Sequence, residues 1–499
     1  MRGEDYDARG NRIGRRGFLQ STGAATAALA FGVGSASAAQ SGSGVTSKDY
    51  TIESWDGTPL ATTLFTPAER GPSPAVLMTH GWGSSRGAAE GKARMYAENG
   101  YTVLTYDSRG FGDSSGTVGL DGPKEIKDGQ HLIDWLARRD EVALEDTGNP
   151  RIGMDGRSYA GGIQLNLAFA DDRLDAIVPR ITWSDLVYSL APNGVVKTAW
   201  IAALLGLGEV ATWDFDPNSN VRPDAFDWYA EALKTNEQPP SAVRDGKKRS
   251  VVHNAETFDT PTLMLNAWND TLFNPLEATR VDRILQGKGV ESRLAFYTGG
   301  HGIEMATVPE SSRTRMDGMA VDWLDRHVRG ADVDVPRLSL WETQTGEWTT
   351  EDSFPLADTH PVTYDLGAAS RSGSKRLRKW SLFDDTEAIY SWTVGRDVEL
   401  VGTPQFDIAV EVGGETAHLF FDLRHEGETM STMTPYRVEG SGRHRISFEY
   451  PTLQQSLSAG DRLELRIYIS DWMYLDADGR GEVTVDPAAS RITIPQRPQ

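Results

Sequence analysis

A serine between glycines, an aspartate closing an apolar run and a histidine in a glycine loop are the residues of this chain whose types and order could do chemistry together. The serine is Ser158 in "MDGRSYAGG" (residues 154–162), the aspartate is Asp270 in "TPTLMLNAWNDTLF" (260–273), and the histidine is His301 in "SRLAFYTGGHG" (292–302). A serine hydroxyl is a poor nucleophile until a base takes its proton, and the base needs an acid to orient it. The set therefore predicts acyl transfer: Ser158 attacks a carbonyl, His301 takes its proton, and Asp270 holds the imidazole. Two backbone N–H groups would hold the resulting oxyanion, one from Tyr159 and one from "HGWGSS" (80–85), where Trp82 follows His80 and Gly81. Asp185 is the alternative acid. Asp270 also falls in the sequon Asn269-Asp270-Thr271, where a glycan would block the pocket.

These residues need a scaffold that brings them to one edge. "PAVLMTHG" (74–81) and "YTVLTYDSRG" (101–110) are short continuous apolar runs, as expected of strands buried on both faces of a parallel sheet. Between them a helical stretch ends at Gly100. "EIKDGQHLIDWLARRD" (125–140) spaces its apolar residues as an amphipathic helix. "YTIESWDGTPLATTLFTP" (50–67) reads as a hairpin turning at Asp56-Gly57. Alternation of strand and helix implies a doubly wound, mostly parallel α/β sheet. Ser158 then lies on a strand-turn-helix elbow between "PRIGMDG" (150–156) and "AGGIQLNLAFA" (160–170). Small neighbours are needed there for clearance, and Gly156 and Gly161 supply them, although Ala160 replaces the second glycine of the G-x-S-x-G motif. The chain order Ser158, Asp270, His301 is that of α/β-hydrolases.

"GRSYAGG" is similar to the G-x-S-Y-x-G motif of the cocaine esterase and X-Pro dipeptidyl-peptidase group of α/β-hydrolases. "YDSRGFGDSSG" (106–116), "DWLARRD" (134–140), "WNDTLFNP" (268–275) and "WLDRHVRG" (323–330) resemble that group too. The resemblance implies a triad of Ser158, Asp270 and His301, an oxyanion donor at Tyr159, and a jelly-roll domain after the hydrolase domain. Some members use a tyrosine hydroxyl as the second oxyanion donor. This chain offers "HGWG", so the Trp82 backbone takes that place.

Between residues 181 and 258 the strand-helix rhythm stops, and a helical cap is expected. Trp183, Tyr188 and Asp185 are its candidate pocket residues, with Trp200 and Trp213 as further aromatic candidates or as packing of the cap itself. From 331 to 499 runs such as "TAHLFFDLRHE" and "DRLELRIYISDWMYL" alternate apolar and polar residues, the pattern of an antiparallel sandwich. Its "DADGRGE" (476–482) reads as a hairpin turn, lacking the spacing of a calcium loop. The expected organisation is thus a signal peptide (1–38), a linker (39–47), a catalytic domain (48–180 and 259–330), the cap (181–258) and the sandwich (331–499).

Composition restricts function further. The 499 residues carry 50 Lys+Arg against 71 Asp+Glu, a net charge of -21. Such a surface repels nucleic acid and anionic lipid, and strains the compact state unless salt screens it, so a halophilic source is expected. There is no cysteine, which excludes thiol catalysis, disulfides and thiolate metal sites. "RRGFLQ" (15–20), the small apolar stretch after it and "ASA" (36–38) form a twin-arginine export pattern with a cleavage site. No phosphate loop, dinucleotide fingerprint or zincin histidine pair occurs, and no cofactor is expected. Three readings stand: an exported serine hydrolase of esterase type, an X-Pro dipeptidyl-peptidase, and a secreted carbohydrate- or partner-binding protein with an inert hydrolase half. For the hydrolases the partner is a small ester, amide or peptide, with no nucleic acid and no membrane once the signal is removed.

Overall fold

The computed structural model describes residues 44–211, 220–302, 307–342, 344–378, 386–474 and 481–498. The twin-arginine segment, residues 36–38, Trp213 and most of 476–482 lie outside the described residues.

Ten strands form the main sheet: β1 (Thr46–Glu53), β2 (Pro59–Thr66), β3 (Ala75–Met78), β4 (Thr102–Tyr106), β5 (Ile152–Arg157), β6 (Ala176–Arg180), β7 (Thr262–Ala267), β8 (Ser292–Tyr297), β9 (Leu338–Glu342) and β10 (Glu347–Glu351). Their order is β1-β2-β4-β3-β5-β6-β7-β8-β9-β10. From β4 to β9 neighbours run parallel, while β1-β2, β2-β4 and β9-β10 are antiparallel. Every residue of β3, β4 and β7 is buried. This explains the continuous apolar runs, because successive side chains point to opposite faces and both faces are covered. Val103 of β4 joins one apolar cluster and Leu104 the other; Leu265 and Met264 of β7 divide likewise.

Helices α1 (Glu90–Glu98) and α9 (Glu310–Val328) cover one face through Tyr96, Trp323 and Leu324. On the other face lie α2 (Pro123–Leu136), α3 (Tyr159–Ala168) and α8 (Leu276–Lys288), through Leu132, Ile163 and Leu285. The result is an α/β-hydrolase-like mixed sheet. Its strand order reverses between β3 and β5, and open α/β sheets form their ligand crevice at the carboxyl ends of the strands beside such a reversal.

The segment between β6 and β7 holds α4 (Leu186–Leu190), α5 (Thr198–Ala211), α6 (Pro223–Thr235) and α7 (Pro240–Lys247). Beyond them, two antiparallel sheets share one core. One runs Gly442–Glu449, Gln405–Val412, Val483–Pro498, Val398–Gly402 and Leu453–Leu457; the other is centred on Thr416–His425 and Arg462–Tyr468. Phe406 of the first and Phe421 of the second meet with ring centroids 5.9 Å apart. The first two strands past residue 330 differ from the expected grouping: β9 pairs with β8 and extends the main sheet. Alternation in a sequence gives a strand's two faces but not its neighbour, and the buried Leu338 and Leu340 fill the main-sheet core here.

Candidate active site

β5 ends at Arg157, and the chain turns at once into α3. Ser158, on the turn, has φ 56° and ψ -119°, a sparsely populated conformation for a residue with a side chain that costs on the order of 1–3 kcal/mol. Four hydrogen bonds hold it there. Its N–H donates to the Arg180 carbonyl (2.8 Å), and its carbonyl accepts from the N–H groups of Gly161 (2.8 Å) and Gly162 (3.0 Å) and from Thr182 Oγ1 (2.9 Å).

Close approach explains the glycines. A Cβ on Gly156 would lie 2.6 Å from that of Ala160. The strand glycine thus makes room for the alanine that replaces the motif's second glycine. A Cβ on Gly162 would overlap the Trp183 ring.

At the same edge, the turn after β7 carries Asp270, fully buried. Its Oδ1 accepts from the N–H groups of Leu272 (2.9 Å) and Phe273 (2.8 Å), and its Oδ2 accepts from His301 Nδ1–H (2.8 Å). With Nδ1 carrying the proton, His301 Nε2 is an acceptor, and Ser158 Oγ donates to it across 2.8 Å. The imidazole is 4% exposed, with the Phe273 ring at 4.9 Å and the Trp200 ring at 6.0 Å, both edge-on. Ser158, Asp270 and His301 are therefore brought into one chain of hydrogen bonds.

Tyr159 and Trp82 flank this chain. Tyr159 opens α3, so its N–H has no partner within the helix. The loop after β3 presses against the elbow: a Cβ on Gly81 would sit 3.9 Å from that of Ser158. His80, buried and kept neutral by that burial, donates from Nδ1 to the Gly81 carbonyl (2.8 Å) and accepts at Nε2 from the Ser108 N–H (3.1 Å). Fixing that carbonyl leaves the Trp82 N–H on the opposite side of the planar peptide. No group among the described residues accepts from the N–H of Trp82 or of Tyr159. The Trp82 ring anchors the loop instead, donating Nε1–H to the Leu204 carbonyl of α5 (2.7 Å) and meeting Tyr159 and Phe111 edge-on at 5.3 and 5.2 Å.

The other sequence candidates have different surroundings. Asp185 caps α4, accepting from the N–H groups of Val187 and Tyr188, and its carboxylate lies 3.6 Å from His253. Trp183 donates to the Arg249 carbonyl (2.7 Å) and packs 5.2 Å from Phe273. Tyr188 accepts from Asn274 (3.4 Å) under the Arg280 guanidinium. Two residues escaped the sequence reading. His80 was visible only as part of "HGWG". Lys197 was the single charge in the apolar run "GVVKTAWIAALLGLG", and that isolation was its signal; its ammonium donates to the carbonyls of Thr271 and Leu272 in the acid turn.

Among known proteins, residues 56–302 match the family model described as X-Pro dipeptidyl-peptidase (S15 family). The chain is 25% identical over 370 residues to the cocaine esterase of Rhodococcus sp. (strain MB1 Bresler), an alignment covering 64% of this chain and 62% of that protein, somewhat less than two thirds of its length. In fold it is similar to a CocE/NonD family hydrolase from Staphylococcus aureus (TM-score 0.69, 16% identity, 93% of this chain and 99% of that one). It also resembles an aminopeptidase from a marine sediment archaeon, Thaumarchaeota archaeon (TM-score 0.69, 12% identity, 91% and 96%).

Proposed function

We propose that the chain, whose residues 56–302 match the S15 family model and which is similar to a cocaine esterase, is a serine hydrolase that cleaves a carboxylic ester through an acyl-enzyme on Ser158. The observation that carries this reading is the unbroken chain from Asp270 through His301 to Ser158, with both links at 2.8 Å, ending on a strained elbow.

In this mechanism Ser158 Oγ loses its proton to His301 Nε2 as it attacks the substrate carbonyl. Asp270, held by two backbone N–H groups, keeps the imidazole in the tautomer that accepts from serine. The N–H groups of Tyr159 and Trp82 receive the oxyanion; losing one such donor costs about 3–4 kcal/mol in the transition state. Collapse of the tetrahedral intermediate passes the proton from Nε2 to the leaving alcohol. A water, deprotonated by the same nitrogen, then releases the acid.

The description of the matching family favours a second reading, release of N-terminal dipeptides from X-Pro substrates. The chemistry at Ser158 would be the same, with an amine leaving. The arginine pair at residues 15–16 supports export by the twin-arginine route, the net charge of -21 supports a halophilic source, and the shared core of the two C-terminal sheets supports a jelly-roll domain.

Labelling by a fluorophosphonate probe in 2 M salt tests the reading. The intact protein is expected to label and Ser158→Ala to stay unlabelled. Equal labelling of both would sink the assignment. Hydrolysis of p-nitrophenyl esters set against Ala-Pro anilides then separates the two substrate classes.

A further inference from the structure

The buried ammonium of Lys197 has no role in the mechanism above. Lys197 stands between a short helical turn at Pro192–Gly194 and α5, only 2% exposed. Its Nζ donates to the carbonyls of Thr271 (2.7 Å) and Leu272 (2.9 Å). This is the turn whose N–H groups hold Asp270 Oδ1. The turn is thus gripped on both sides, by the carboxylate through its N–H groups and by the ammonium through its carbonyls. Trp200, three residues on, adds a bond from Nε1 to Thr271 Oγ1 (3.2 Å) and sets its ring beside His301.

Taking an ammonium out of water is costly, and an apolar side chain of similar volume is often the more stable choice. A charge kept here therefore has work that volume alone would not do. A cavity of about 10 Å³ borders Lys197, lined also by Asn274, Thr432 and Thr434. That is space for about one water, and Thr434 Oγ1 has no partner among the described residues.

We infer that Lys197 is a positioning residue of the hydrolytic site: it locks the acid turn to the start of α5 and sets a positive charge beside the Asp270–His301 pair. This rests on the triad reading above. The charged and titratable groups around Lys197 are Asp270 from the turn, with His301 behind it, and Glu277 from α8, whose carboxylate lies 3.9 Å from Arg280. Tyr188 from α4 adjoins Asn274, and Tyr474 from the C-terminal part lines the cavity.

Burial lowers the Lys197 pKa to about 8, against the opposing pull of Asp270 and Glu277. The charge is therefore present at neutral pH and is lost as the pH rises through that value. Present, it stabilises the Asp270 carboxylate and opposes an imidazolium on His301. Once it is lost, the bonds to the two carbonyls lose their charge assistance, which roughly doubles the strength of such bonds.

The test is the pH dependence of kcat/KM for an ester substrate, and of fluorophosphonate labelling rate, in the wild type, Lys197→Met and Lys197→Arg. The wild type is expected to decline on the alkaline side near pH 8. In Lys197→Met the acid limb moves up by about half a unit or more, as removal of a positive charge near the imidazolium requires, and the decline near pH 8 disappears. Lys197→Arg keeps the wild-type acid limb and loses the decline near pH 8, because a guanidinium stays charged. Unmoved limbs in Lys197→Met, or a Lys197→Arg acid limb that follows Lys197→Met, would overturn the inference. If Lys197→Met fails to fold, a decline near pH 8 retained in Lys197→Arg overturns it alone. Labelling that persists in Ser158→Ala sinks the triad itself, whereas Ser158-dependent labelling with unmoved limbs sinks only the role of Lys197.

Discussion

Asp121 shows how differently two buried carboxylates fare in this molecule. Asp270 has donors for both oxygens. Asp121, 1% exposed, faces the like charge of Glu125, while the nearby Arg249 spends its guanidinium on the carbonyls of Gly119, Leu120 and Asp245 and on the Asp245 carboxylate. Burial and the Glu125 charge push its carboxyl well above the usual range. A carboxyl whose pKa is raised by folding costs stability as the pH climbs from the unfolded value toward the folded one, and costs nothing below both. Asp121→Asn is therefore expected to raise the melting temperature at about pH 8, with the gain shrinking as the pH falls toward about 4. Asparagine also suits the backbone, since residue 121 has φ 55° and asparagine visits that region readily. A gain of equal size at both pH values would mean that charge is not the cause. None of this was legible in the sequence, because the burial of Asp121 and its approach to Glu125 come from packing. By contrast, the order of Ser158, Asp270 and His301 could be read, because each ends an apolar run and parallel strands put such ends on one edge. Lys197 and His80 act through carbonyls of other segments, and backbone carbonyls leave no mark on the pattern of side chains.

Two helices carry glycines with opposite consequences. Gly162, in α3, lies under the Trp183 ring, so a methyl group there must displace a large side chain of the segment that leads from β6 into α4. Gly162→Ala is expected to cost about 1–3 kcal/mol or more, as overpacking of a tight contact does. Gly318, in the middle of α9, meets nothing within 4 Å of an added Cβ. Gly318→Ala is expected to add about 0.5–1 kcal/mol, the propensity difference in a helix interior. Urea unfolding midpoints check both, and a stable Gly162→Ala would mean that the elbow and Trp183 are not packed as described. The same contrast marks how far elements could be read. The small residues after Ser158 announce a tight strand-helix crossing, but not that Trp183 fills it. The run at residues 338–351 reads as part of the C-terminal sandwich, and nothing in its pattern shows that β8 is its neighbour, because the partner strand is chosen by burial of Leu338 and Leu340.

At the scale of the whole molecule the excess of acid is the dominant fact. Part of the charge is neutralised internally: Arg180 forks onto Asp155 through two bonds of 2.7 Å, and Arg109 onto Asp128 through bonds of 2.7 and 2.6 Å, all four groups buried. Such pairs are little screened by salt. The remaining excess, -21 overall, must sit mostly on the surface, since ionised groups are rarely buried without partners. Repulsion among surface carboxylates disfavours the compact state, and its range shrinks from about 10 Å at 0.1 M salt to about 3 Å at 1 M. The melting temperature is therefore expected to rise with potassium chloride, most steeply below about 0.5 M, where the screening length changes fastest. A rise that is linear in concentration would instead signal stronger exclusion of salt from apolar surface, which does not saturate with screening. The internal pairs predict a further asymmetry: Asp155→Ala leaves the buried Arg180 guanidinium only its pair with Asp317 (2.9 Å), and the loss of stability, at most the about 3–5 kcal/mol typical of a broken buried pair, is not restored by salt. A wild type whose melting temperature is flat or falls between 0.1 and 2 M would remove repulsion as a force on this fold, and with it the physical ground for a high-salt source.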